Sequence, residues 1–342
     1  MRTPRVLGEP ARPINFYHCM SRTLRELPFW DAVEKEHLRE LLTKLLAFSG
    51  LEMVTFCLMG NHFHLLLGVP SERESLEAMG DQAFLDRLAL LYDEEEVEAV
   101  AIELDAHRQA GREAQVLAVR RRYLRRMHNL SAFMQELKQR FTTWYNRRHE
   151  RDGTIWRGRF KSVLVEDAPG ALRSMAAYID LNPIRAGLVS DPLEYRWCGY
   201  AEAVAGGHLA RRGLSALIRG EVGDDESTRN WPQIQAIYRC WLYDEGKVIL
   251  DEAGRVIRRG LVEDEVERVL AKQGALSRPI LARCRIRHFT DGVAIGSTAF
   301  IENVFQRYRP NFGPRRVDGA RRIAPLSAVL RLMNLRDLGA RT

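Results

Sequence analysis

The chain has 342 residues, 46% of them hydrophobic and 28% charged, with a formal net charge of +7. That balance suits one large domain with additions, or two domains, and excludes a disordered polyelectrolyte. The charge is uneven: residues 120–161 hold 13 Lys/Arg against 3 Asp/Glu, residues 255–342 hold 18 against 8, and the remainder is net acidic. Such clustering favours a polyanionic partner over arginines spread on solvated helix faces.

In chain order, "PINFYHCMSR" (13–22) alternates apolar and polar positions and reads as a first strand. Residues 31–50 carry Val33, Leu38, Leu41, Leu42, Leu45 and Leu46 at helical spacing, with Asp31 as N-cap and Gly50 as stop. "LEMVTFCLMG" (51–60) is a second strand. A turn at Gly60–Asn61 returns "HFHLLLGV" as its hairpin partner. Residues 71–127 pass from acidic "EEEVEAVAIELD" to basic "RRRYLRRMHNL" and read as a helical insertion whose charged faces are solvated or oppose one another. A long helix over 131–149 carries Phe133, Leu137, Phe141, Trp144 and Tyr145 as a core stripe and breaks at Gly153. "TIWRGRFKSVLVE" (154–166) reads as a strand, and 169–182 as a helix with Pro169 in its first turn and Pro183 as its stop. The main unit is then β-α-β-β-(insertion)-α-β-α, an α+β sandwich with helices packed on an antiparallel sheet. Beyond the Gly-rich stretch near 205 the composition changes to short amphipathic helices. The expected division is therefore 1–205 and a smaller, mainly helical, basic region at 206–342.

The five cysteines are scattered without a C-x-x-C pair, which argues against a zinc ribbon or a disulfide framework. No apolar run is long enough to span a bilayer and none resembles a signal peptide, so a cytoplasmic protein with no membrane partner is expected.

Three stretches carry chemistry. In "MGNHFHLLLGV" (59–69), His62 and His64 point to one face of a strand, where two imidazoles can clamp a divalent metal. The same pattern also suits a hydrogen-bonded or half-exposed histidine pair. In "AAYIDLNPIRAGLV" (176–189), Tyr178 and Asn182 lie one helical turn apart. A tyrosine there is ordinarily core or surface; beside a metal it is a candidate nucleophile toward phosphorus, and the Asn182 oxygen a candidate hard ligand for Mg²⁺ or Mn²⁺. In "WRGRFKS" (156–162), strand alternation would put Arg157, Arg159 and Lys161 on one face, suited either to phosphates or to solvent.

Taken in order, "MGNHFHLLLGV", "GTIWRGRFKSVLVED", "YIDLNPIRAGLV" and "YRWCGYAEAV" resemble the REP-associated tyrosine transposases of the HUH single-tyrosine superfamily. The resemblance covers roughly 13–205 without the insertion, and "FTDGVAIGSTAF" resembles the C-terminal extension of some members. It implies a ferredoxin-like HUH domain that is a metal-dependent endonuclease and transesterase. The implied partner is single-stranded DNA bearing imperfect hairpins. Carried over by position, His62 and His64 are the HUH pair, Tyr178 the nucleophile forming a 5′-phosphotyrosine, and Asn182 the remaining ligand. Arg157, Arg159, Lys161 and Arg185 would hold phosphates, and the basic C-terminal region would add DNA affinity. Two positions depart from the pattern: Gly60 stands where members usually carry Pro, and Asp180 where many carry His or Glu. Asn182 and Asp180 are therefore both open as third ligand, and monomer and dimer are both open as assembly. The competing class is a catalytically silent, domesticated relative that binds hairpins without cutting them.

Overall fold

Asp31 caps its helix as its position suggests. Its carboxylate accepts from the backbone of Val33 and Glu34, and the Glu34 side chain accepts from the Asp31 N–H, closing a capping box. Gly50 ends the helix in the left-handed conformation, φ 69°, which a glycine adopts at little cost. The computed structural model describes residues 6–24, 27, 30–168, 170–224, 230–245, 249–250, 256–258, 292–314, 316–317, 319, 321–322 and 333–336. Pro169 and much of the second basic block lie outside the described residues.

The core elements are β1 (Ile14–Arg22), α1 (Ala32–Ser49), β2 (Glu52–Leu58) and β3 (His62–Pro70). The insertion follows as α2 (Glu74–Glu77), α3 (Asp81–Ala89), α4 (Glu94–Gln109) and α5 (Glu113–Leu124), then α6 (Leu130–Arg148) and β4 (Lys161–Val165). The strands run β2-β3-β1-β4, each pair antiparallel. This is the order of a split β-α-β, ferredoxin-like unit and confirms the α+β expectation. Downstream come α7 (Ala171–Asp180), α8 (Asn182–Arg185), α9 (Gly199–Val204), α10 (His208–Val222) and α11 (Trp231–Glu245). Short strands β5 (Ile249–Leu250) and β6 (Val256–Arg258) pair with each other. Then β7 (Gly292–Gly296), α12 (Thr298–Arg307), β8 (Arg321–Arg322) and β9 (Met333–Arg336) complete the described elements.

The sheet is buried on both faces. Phe63, Leu65 and Leu67 of β3 pack with α1, α6 and α12. Leu66 packs on the other side with α7, α9, α10 and α11. Burial on both sides explains the unbroken run of leucines. The insertion has its own small core, Leu76, Phe84, Leu88, Val100, Leu104, Val116 and Val119 closing on Phe48 of α1. Its charged faces do oppose one another, through Arg120 with Asp81 at 2.5 Å and Arg122 with Glu103 at 2.7 Å.

Two expectations differ from the structure. First, 154–160 is not strand: only Trp156 makes an isolated bridge, to Thr23, and Gly158 has φ 155°, so β4 begins at Lys161. Secondly, α6 ends at Arg148, before Gly153, and α7 ends at Asp180 rather than at Asn182, with Pro183 in the first turn of the short α8. Packing continues across residue 205. Helix α10 crosses β2 so closely that a Cβ on Gly213 would lie 2.0 Å from the Met53 carbonyl oxygen. Strand β7 pairs in parallel with β4, and β9 and β8 extend the same sheet.

Candidate active site

Strands β1 and β3 are the central pair of the ferredoxin-like unit, and their register decides which side chains meet. Met20 stands opposite His64 and Arg22 opposite His62. His18, Met20 and Arg22 therefore share the face of the two histidines. Helix α7 covers that face. The Tyr178 ring lies edge-on to two imidazoles, its centroid 5.8 Å from that of His18 and 5.7 Å from that of His64. Tyr178, His18 and His64 are 5%, 1% and 2% exposed, whereas His62 at the strand's start is partly exposed.

Hydrogen bonds orient these rings. His18 Nε2 and His64 Nδ1 are 2.9 Å apart, with the rings 18° from coplanar. Their centroid separation of 5.1 Å is that of an edge-to-edge hydrogen bond, not a face-to-face stack. His62 Nδ1 donates to Asn61 Oδ1 at 2.7 Å, which leaves Nε2 as its lone-pair nitrogen. A proton on His64 Nδ1, donated to His18, does the same for His64 Nε2. The His62 and His64 centroids are 5.1 Å apart at 82°. Two imidazoles with one ion about 2.1 Å from each nitrogen have centroids roughly 4.6–5.3 Å apart, a separation that this pair matches. Among the described residues no group of three or more His, Cys, Asp or Glu side chains is arranged to hold an ion. His18 bonds to His64 rather than converging with it.

Burial, then the nearby charge of Arg22, pushes the His62 pKa down to about 4. Burial also holds His64 well below its ordinary value, aided by His62, His18, Arg22 and Arg185. Both rings are thus neutral at neutral pH, the form that ligates metal. Arg185 donates to the Tyr178 carbonyl at 2.6 Å and lays its guanidinium 4.7 Å from the Tyr178 ring centroid.

The two candidate third ligands are placed differently. The Asn182 amide nitrogen donates to the carbonyls of Tyr178 at 2.9 Å and Ile179 at 3.2 Å, so the side chain caps the end of α7. Asp180, two residues from Tyr178, points to the other side of the helix. Its fully buried carboxylate accepts from Thr55, Tyr238 and the Tyr200 N–H. It anchors α7 to β2, α9 and α11 and is not brought to the histidines.

Lys161 stands opposite Met20, in one cross-strand row with His64, and is exposed on the site's face. Arg157 and Arg159 are also exposed, but they lie in the irregular segment, so strand alternation does not align them with Lys161. Trp156 is a core residue whose Nε1 donates to Thr142 Oγ1 at 2.8 Å, and Trp197 packs between the two main clusters. A separate cavity of about 580 Å³ between α1, α7 and α10 is lined by none of the site residues. His18 and Arg22 escaped notice in the sequence. Only the β1–β3 register, set by residues some 45 apart in the chain, brings them to the site.

No protein-family model matches this sequence, and no curated protein matches it. Among solved structures, one described as a REP-associated tyrosine transposase bound to a REP hairpin is similar over 56% of this chain and 81% of that one. The identity is 14% and the TM-score 0.36. Among the described residues no helix is long and apolar enough to cross a membrane.

Proposed function

We propose that this chain is a metal-dependent single-strand DNA endonuclease and transesterase acting near hairpins through a covalent 5′-phosphotyrosine. The observation that supports this most is the Tyr178 ring set against His18 and His64, with His62 alongside on the same sheet face. Of the two expected ions, Mn²⁺ suits imidazole donors better than Mg²⁺, which is held through oxygen. Bound by His62 and His64, it would supply Lewis-acid polarisation of the scissile phosphate. Tyr178 attacks phosphorus through its phenolic oxygen. The bond to the 3′ oxygen breaks, the phenol gives up its proton and the departing oxygen takes one. The linkage conserves phosphodiester energy, so a 3′-hydroxyl can reverse the step and rejoin strands without ATP. His18 orients the His64 ring, and Arg185 braces the turn that carries Tyr178. Lys161, Arg157 and Arg159 offer exposed positive charge to neighbouring phosphates.

The competing reading, a silent hairpin-binding relative, draws on the burial of Tyr178 and His64. One experiment separates the two. A hairpin oligonucleotide labelled at its 3′ end is incubated with protein and Mn²⁺ or Mg²⁺ and run on a denaturing gel. Capture of the label by wild type and its loss in Tyr178→Phe is the expected result. An adduct that survives in the Phe variant moves the nucleophile elsewhere, and binding without any wild-type adduct favours the silent relative. Tyr195 is a poor substitute, since its hydroxyl is committed to the Leu58 carbonyl at 2.7 Å.

A further inference from the structure

The insertion and α6 enclose a second cationic surface. A groove of about 850 Å³ runs along the outer side of α6 from Ala132 to Arg147, with Arg125, Arg126 and Asn129 at one end. Its charged lining is four arginines, Arg125, Arg126, Arg140 and Arg147, against one glutamate, Glu136. Glu136 is already neutralised by Arg126 and, at 2.9 Å, by Arg140. Among the described residues Arg125 and Arg147 form no ion pair, and both are exposed. The rest of the lining includes Gln135 and Gln139, neutral amide donors that suit phosphate and sugar oxygens. The buried side of α6 belongs to the core cluster on the sheet face opposite Tyr178. The groove is therefore across the sheet from the histidines.

The geometry points to this groove as a binding surface for the phosphate backbone of a nucleic-acid duplex, separate from the active site. Length, charge and aromatic content favour that occupant. From Ala132 to Arg147 a helix rises about 22 Å, the rise of roughly six nucleotides along one duplex strand. The lone tryptophan of the lining, Trp144, is stacked on His37, ring centroids 4.0 Å apart and 12° from parallel. With that one aromatic ring in the lining, at most one unpaired base could stack in the groove, where a single strand of that length would offer about six. What remains is positive charge and donors without base readout, the chemistry of sequence-independent backbone binding. The surface depends on the insertion, because Arg125 and Arg126 follow directly on α5.

The test uses the full chain and a fluorescein-labelled 20-base-pair DNA duplex of mixed sequence, read by anisotropy across a KCl series. The double variant Arg125→Glu/Arg147→Glu should weaken duplex binding at least tenfold. It should also flatten the slope of log affinity against log salt by about 2, one unit for each phosphate no longer neutralised. Arg125→Lys/Arg147→Lys should retain most of both, which separates a charge effect from a folding defect. Capture of the 3′-labelled hairpin by Tyr178 is scored in parallel and is expected to persist in the Glu variant at saturating protein. Its absence in wild type would sink the nuclease reading and leave the groove standing. Unchanged duplex affinity and slope in the Glu variant would overturn the groove. So would loss of poly-glutamate binding with duplex binding intact, which would assign the surface to an acidic protein.

Discussion

Tyr238→Phe removes one oxygen atom from the network that anchors the Tyr178 helix, and its cost can be worked out. The Tyr238 hydroxyl donates to Asp180 Oδ2 at 2.6 Å, and the other donors, Thr55 Oγ1 and the Tyr200 N–H, are neutral. Burial pushes the Asp180 carboxyl up to about 6 from 3.8, in spite of these bonds. A group raised in the fold adds most stability when protonated. Its contribution is complete below about 3.8 and is lost as pH climbs through about 6, by about 3 kcal/mol in all. A hydrogen bond to a buried carboxylate is worth about 2 kcal/mol, so losing the hydroxyl lifts the Asp180 pKa further, by about 1.5 units. The variant should therefore be less stable than wild type by about 2–3 kcal/mol at pH 8.5 but by under about 1 kcal/mol at pH 5, where both proteins carry a protonated Asp180. Burial keeps Tyr238 itself far above its ordinary range, so it does not titrate in this window. Urea denaturation of both proteins at the two pH values measures the difference directly. A gap that is the same at both, or wider at pH 5, refutes the assignment of Asp180 as a costly buried anion.

Two further outcomes are expected. His18→Phe keeps a ring at the site but removes the nitrogen that orients His64, so Mn²⁺ affinity measured by titration calorimetry should fall by about 10–100-fold with little change in melting temperature; unchanged affinity would make the hydrogen bond incidental. Asp191→Ala strands the fully buried Arg239 guanidinium, which it pairs with at 2.7 Å, and should cost about 3–5 kcal/mol in denaturant unfolding; a loss below about 1 kcal/mol would mean that water reaches Arg239.

The elements built from local signals were legible in the sequence. Asp31, Gly50 and the Gly60–Asn61 turn mark their own boundaries, and alternation alone puts His62 and His64 on one face. What escaped was non-local. His18 belongs to the site only because β1 pairs with β3 in one particular register. Asp180 looks like a ligand by proximity to Tyr178, yet two residues along a helix turn a side chain to the opposite side, where Thr55 and Tyr238 receive it. The arginine alternation failed because Gly158, at φ 155°, breaks the strand that it presupposed.

The parallel pairing of β4 with β7 carries a consequence for how the chain is made. Between Val165 and Gly292 the ribosome must add about 130 residues, which at about 5–20 residues per second takes roughly 10 s. Throughout that interval the outer edge of β4 has its backbone donors and acceptors unpaired, an open template for another nascent chain. A product that stops short of residue 292 keeps that edge for its lifetime. Shortened forms should therefore be lost to self-association before any question of DNA affinity arises, and vigorous expression should be limited by the rate at which the last strands arrive.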